Sequence, residues 1–164
     1  MSVDRQTASS EREPAVAMRN RPVDSVMVNV VVRPVVASLQ LMAAYVLVHG
    51  HYSPGGGFQS GVLLAAAVFL LDFVPRTERG GFLSVSERGA AILASAGVLG
   101  ATVVGLVPMA YGSPFLDYAA LPFGMEPAAT RSLGILLFEV GITFAVMGVI
   151  LSIFHSLNAE DVGP

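Results

Sequence analysis

The 164-residue chain has no cysteine, which excludes disulfides, thiolate catalysis and cysteine-based zinc or iron–sulfur centres. It has no lysine either, since all nine basic residues are arginine. A Walker-type phosphate loop and a lysine Schiff base are therefore ruled out. Charge is scarce, at 13% of residues where soluble domains carry about a quarter. What fills the chain is apolar: 54% of residues, with a mean hydropathy of +0.68. Many of the 17 glycines lie inside apolar runs, as they do in membrane helices. The net charge of −3 says little about nucleic acid, and the apolar bulk argues against it. The length suits one domain, and the composition is that of an integral membrane protein.

Residues 1–25 are polar, with Arg5, Arg12, Arg19 and Arg21 set against Asp4, Glu11, Glu13 and Asp24. They lack the apolar core of a cleavable signal and read as a solvated tail. From Pro34 to Leu71 runs a stretch of 38 residues without a charge. One straight helix of that length, at about 1.5 Å per residue, far exceeds a hydrocarbon core of about 30 Å. It must break, and the break is legible at His49-Gly50-His51-Tyr52-Ser53-Pro54-Gly55-Gly56-Gly57, which cannot continue a helix. The expected architecture is all-α: a four-helix membrane domain over 26–157, with spans at about 26–48, 57–73, 89–109 and 132–154. A charged connection with Arg76, Glu78, Arg79, Glu87 and Arg88 joins the second and third spans. A Pro/Gly/aromatic stretch over 110–130 joins the third and fourth, and 158–164 forms a short acidic tail.

Four spans place both termini and the second connection on one side. That side holds seven arginines and the opposite side only Arg131, so both termini are expected in the cytoplasm. Tyr52, Tyr111 and Tyr118 then fall on the outer side, as interfacial anchors do.

Helices in lipid associate through small residues that let backbones approach. The second span carries Gly57, Gly61 and Ala65, the third Gly97, Ala101 and Gly105, and the fourth Gly134, Gly141, Ala145 and Gly148. These stripes predict close packing within the subunit, with a surplus available for other membrane subunits. Polar residues inside spans are costly and face protein or water. Glu139 is the one charge of the fourth span and lies about 160° around the helix from Gly141, with Thr143 one turn on. It either binds and releases a proton or cation, or serves as a hydrogen-bonded structural carboxylate. Arg33 and Gln40, seven apart, give the first span a polar edge, with Arg33 snorkelling to the interface before Pro34. Arg33 and Glu139 lie towards opposite membrane faces and are not paired.

His49 and His51 have the chemistry of a proton relay or metal ligand. They are two apart, so a helix cannot present both on one face, and no third ligand is near in sequence. No metal site is expected, and an interfacial structural role is favoured. Gly55-Gly56-Gly57 lacks the partner residues of a phosphate cradle; it reads as a tight, cavity-lining turn re-entering the bilayer.

The run from His49 to Gly61, HGHYSPGGGFQSG, resembles the signature of the B subunit of Mrp (Mnh) multisubunit Na+/H+ antiporters. The Arg33-Pro34 entrance and Leu137-Phe138-Glu139-Val140-Gly141 are similar to the same family, and the likeness covers about residues 26–157. The 25-residue tail is long for the family, and 110–130 matches nothing in it. The resemblance implies a small non-enzymatic subunit of a cation/proton antiporter in the cell membrane. Its partners would be other membrane subunits, Na+ and H+, and the lipid bilayer, with no cofactor. The alternatives are an Mrp-like subunit of an energy-converting hydrogenase or oxidoreductase, and a purely structural adaptor. Candidates for the ion path are Glu139, Thr143, His49, His51, Gln40 and Gln59, with Pro54, Gly55, Gly56 and Gly57 as the structural turn.

Overall fold

The computed structural model describes residues 28–50, 55–72 and 85–160, and every regular element among them is helical. The α-helices are α1 (Arg33–His49), α2 (Gly57–Asp72), α3 (Glu87–Ala110) and α4 (Pro127–Glu160). A 3-10 turn, Tyr118–Ala120, lies between α3 and α4. Residues Val30–His49, Glu87–Ala110 and Pro127–Leu157 are long and apolar enough to cross a membrane, whereas α2 is a shorter apolar helix. The polar tail 1–25, the connection bearing Arg76, Glu78 and Arg79, and the terminal residues 161–164 lie outside the described residues.

The chain divides into two compact units, Met1–Pro34 and Val35–Pro164. In the first, Val28–Val32 forms a π-helical turn.

In the second unit α4 is the hub. Its Gly141 face meets α3 backbone to backbone: a methyl group added at Gly141 would lie 2.8 Å from the Ala101 nitrogen and 2.9 Å from the Gly97 oxygen. One added at Gly148 would lie 2.6 Å from the Ala90 oxygen. Helices separated by no side chain at all gain dense van der Waals contact, the main attraction available in lipid. On a second face of α4, Gly61 of α2 is so close that a methyl there would lie 2.7 Å from the Thr143 oxygen. Ala65, Val68, Ala90, Met147 and Leu151 join α2, α3 and α4 in one apolar cluster. The small-residue stripes are thus consumed inside the subunit, whereas Gly100, off the stripe, has nothing within 4 Å of an added methyl.

Helix α3 is capped by Ser86, whose Oγ accepts the Gly89 N–H at 3.2 Å. At its other end Pro108 is buried, and its oxygen accepts the N–H groups of Tyr111 and Ser113 at 3.0 and 3.1 Å. The chain then folds back. Leu116 takes a left-handed φ of 64°, and its N–H donates to the Gly105 oxygen at 3.2 Å. Phe115 lies against Gly105, and Tyr118 and Leu121 lie against Gly134. Tyr118, expected on the outer side of the membrane, is half-buried against Gly134, whereas Tyr111 is 62% exposed.

Helix α1 from Val35 onward is covered least. Only Val36 and Ala43 are buried, while Leu41, Met42, Tyr45 and Val48 are exposed. Its tie to α2 is polar: Ser60 Oγ, itself buried, donates to the Ala43 oxygen at 2.9 Å.

Candidate functional site

Glu139 stands on α4 twelve residues from Pro127, about 18 Å along the axis. The first residue of α2, Gly57, meets α4 at this level, packed on the Glu139 backbone so closely that a methyl would collide with its carbonyl oxygen. The start of α2 is therefore recessed by about three turns relative to the start of α4. That recess accounts for the shortness of α2, whose 16 residues give about 24 Å.

The turn between α1 and α2 covers the carboxylate. A methyl at Gly50 would lie 2.9 Å from Glu139 Oε2 and 3.0 Å from Oε1, and one at Gly56 would lie 3.0 Å from Oε1. Gly56 has φ +127°, a conformation that side-chain residues rarely adopt. Gly50 and Gly56 also abut, with 2.7 Å between a Gly50 methyl and the Gly56 Cα. Glycine is required here on both counts, backbone torsion and room for the acid. The carboxylate lies beside the backbone of Gly50 and Gly56, at the partially positive N-terminal end of α2. Oε2 is shielded from solvent.

Thr143 locks this arrangement. Its buried hydroxyl lies 2.8 Å from the Glu139 oxygen and 3.1 Å from the Gly57 oxygen, so its single proton is shared between α4 and α2. The Ser60–Ala43 bond adds α1 one turn further along α2. Electrostatics reach beyond the turn: Tyr118 is held above the ordinary tyrosine pKa by burial and, second, by the charge of Glu139.

Of the expected ion-path residues, Glu139 and Thr143 are brought together with Gly55, Gly56 and Gly57 at one place. Gln59 is exposed and its Oε1 lies 3.7 Å from a methyl at Gly55. Gln40 is half-buried, nearly three turns back along α1 from Gly50. His49 is exposed, with Nδ1 3.1 Å from the Tyr45 oxygen and its ring stacked on Tyr45 at 4.3 Å. His51 and Pro54 lie outside the described residues. Among the described residues, no three histidine or acidic side chains gather as a metal site would require. Sequence reasoning passed over Gly50 as a member of the site, and the glycine preceding His51 was the only signal.

A family model described as "Domain related to MnhB subunit of Na+/H+ antiporter" matches residues 27–152. The chain belongs to this family. Similar curated proteins include "Putative antiporter subunit mnhB2" from Staphylococcus aureus strains Newman and JH1. Each is 33% identical over 140 residues, covering 82% of this chain and 95% of the relative. The MnhB match contains all of α1, α2 and α3, the turn, Glu139 and Thr143. With its apolar helices, this member of the MnhB family is a multi-pass membrane protein.

Proposed function

We infer that the protein is a membrane subunit of a multisubunit Na+/H+ antiporter, and that Glu139 beneath the Gly50–Gly57 turn is its ion-handling group. Family membership across 27–152 supports the first part. The observation that carries the second is the glycine cradle: Gly50, Gly56 and Gly57 leave a carboxylate in an apolar helix facing backbone rather than hydrocarbon. A carboxylate so placed exchanges a proton against a cation without leaving its helix, the reaction an antiporter needs. Thr143, Gln59, Gln40, His49 and His51 are secondary members of the route, and Pro54 with Gly55 completes the turn.

The chain crosses the membrane four times with both termini in the cytoplasm. The arginine asymmetry supports this, and so does the apolar character of α2, whose 16 residues give about 24 Å. The polar tail 1–25 and the acidic end 158–164 flank a single membrane domain, and the chain itself is not an enzyme. Its partners are the other membrane subunits of the complex, the lipid bilayer, and Na+ and H+ as cargo.

The test is Glu139→Gln in the assembled complex, with ΔpH-linked Na+ exchange measured in everted vesicles. The variant assembles and loses exchange, while Glu139→Asp retains more of it. Wild-type exchange by the Gln variant across pH and Na+ concentration reduces Glu139 to a packing residue. Mass spectrometry of the purified complex checks the host: metal-cluster subunits among the partners would overturn the antiporter assignment.

A further inference from the structure

Helices α2 and α4 run side by side in the same direction: Gly57 lies on Glu139, Gly61 on Thr143, and the Phe69 ring meets Phe154 with centroids 4.5 Å apart. His155 comes next, 16 residues and about 24 Å along α4 from Glu139, level with the end of α2. It is half-buried, and its ring stands edge-on to Phe154, with centroids 6.1 Å apart and planes at 85°. Nδ1 lies 2.7 Å from the Leu151 oxygen. A carbonyl oxygen only accepts, so Nδ1 carries the proton of the neutral ring and Nε2 keeps the lone pair. The ring therefore takes up a second proton at Nε2 without breaking this bond or leaving its seat. Among the described residues, the charged side chains at this end come from the two neighbouring helices. Asp72, half-buried, ends α2 three residues past Phe69. Glu87 and Arg88, both exposed, begin α3, whose Ala90 meets α4 at Gly148 and Leu151. Helix α4 has no charged residue between Glu139 and His155. The formal charges of Asp72, Glu87 and Arg88 sum to −1, which a protonated His155 cancels.

We propose that His155 is a proton-binding group at the end of the α2–α4 contact remote from Glu139. Neutral, it leaves that end attractive to Na+; protonated, it opposes the approach of Na+ from that side. Imidazole suits this task because it is the side chain that ordinarily changes charge near neutral pH. In the four-span topology the end in question faces the cytoplasm. The inference rests on the reading of the chain as an antiporter subunit, and not on the role of Glu139.

The experiment compares wild type, His155→Gln and His155→Arg in the full complex. Complex yield and apparent KM for Na+ are read in everted vesicles, whose outer face is the cytoplasmic one, at about pH 8 and about pH 5.5. Gln stands in for the neutral ring and Arg for the protonated one, since Arg stays charged at both pH values. At about pH 8 the wild type matches His155→Gln, while His155→Arg has an apparent KM roughly two- to fivefold higher, the range for one unit charge within about 10 Å in water. At about pH 5.5 the wild type moves to the Arg value, leaving His155→Gln lower by the same factor. Competition between protons and Na+ for the transport site itself acts on all three alike, so the comparison at one pH isolates His155. Yield stays at the wild-type level. Equal KM for wild type and His155→Gln at about pH 5.5 overturns the proposal. Failed assembly of His155→Gln also overturns it, because the ring would then be a folding group. A wild-type complex that moves no Na+ removes the antiporter reading and this inference with it; an active wild type matched by His155→Gln at both pH values removes this inference alone.

Discussion

Two faces of α4 are packed through glycine, yet they do different work. On the Gly141 face, Gly97, Ala101, Gly141 and Gly148 bring α3 and α4 into backbone contact with no charged group between them. On the Glu139 face, Gly50 and Gly56 bring a turn equally close, but the space they free is occupied by a carboxylate. Small residues alone therefore do not distinguish a seam from a site. The distinction comes from what the missing side chains make room for: another backbone in one case, an ionisable group in the other. The conformations differ as well, since Gly97 and Gly141 are ordinary helical residues whereas Gly56 has φ +127°.

The comparison breaks most severely at the seam. Gly97→Leu would drive a side chain into the Ala145 backbone, and overpacking of this kind costs about 3 kcal/mol or more. The expected outcome is loss of assembled complex, measured by native gel and thermal melting in detergent. At the turn, Gly56→Val combines a forbidden φ, costing about 1–3 kcal/mol, with displacement of Glu139. Here exchange per assembled complex falls together with yield, whereas milder seam variants such as Gly97→Ala lower yield and leave exchange per complex unchanged. Equal specific exchange in both would show that the two faces are alike.

Thr143→Val keeps the shape and removes the proton shared by the Glu139 and Gly57 oxygens. A loss of about 1 kcal/mol in stability follows, read as a modest fall in melting temperature. The smallest effect belongs to Gly100→Ala on α3. Nothing lies within 4 Å of the added methyl, which borders an apolar groove of about 350 Å³ between α3 and α4. Stability stays unchanged or rises by about 0.5–1 kcal/mol through helix propensity, in the same melting assay. A large fall would mean that the groove is filled in the assembled complex.

The uncharged runs made the helices legible before any coordinates. α3 and α2 fall within two residues of the expected spans, and α4 continues beyond 132–154 at both ends because Pro127 and the polar residues past Phe154 still suit a helix outside hydrocarbon. The angular separation of Glu139 from Gly141 was legible too, since it follows from 100° per residue, and the two residues do meet different helices. The half-buried seat of Tyr118 was not legible. A tyrosine in a Pro/Gly-rich connection has the same local pattern whether it faces lipid headgroups or a glycine sixteen residues away on another helix.

The sequence by itself determined that the chain is helical, that it belongs in a membrane, where it must turn, and that α4 presents a carboxylate opposite a glycine seam. Those properties follow from composition and from a helical repeat that needs no knowledge of neighbours. Only the tertiary structure decided that the glycine turn and the carboxylate are one site. Their meeting joins Gly50, Gly56 and Gly57 to Glu139, and it depends on the depth at which α2 docks on α4. That depth is fixed where backbone meets backbone at Gly57 and Gly61, a condition on three-dimensional packing that no local pattern carries.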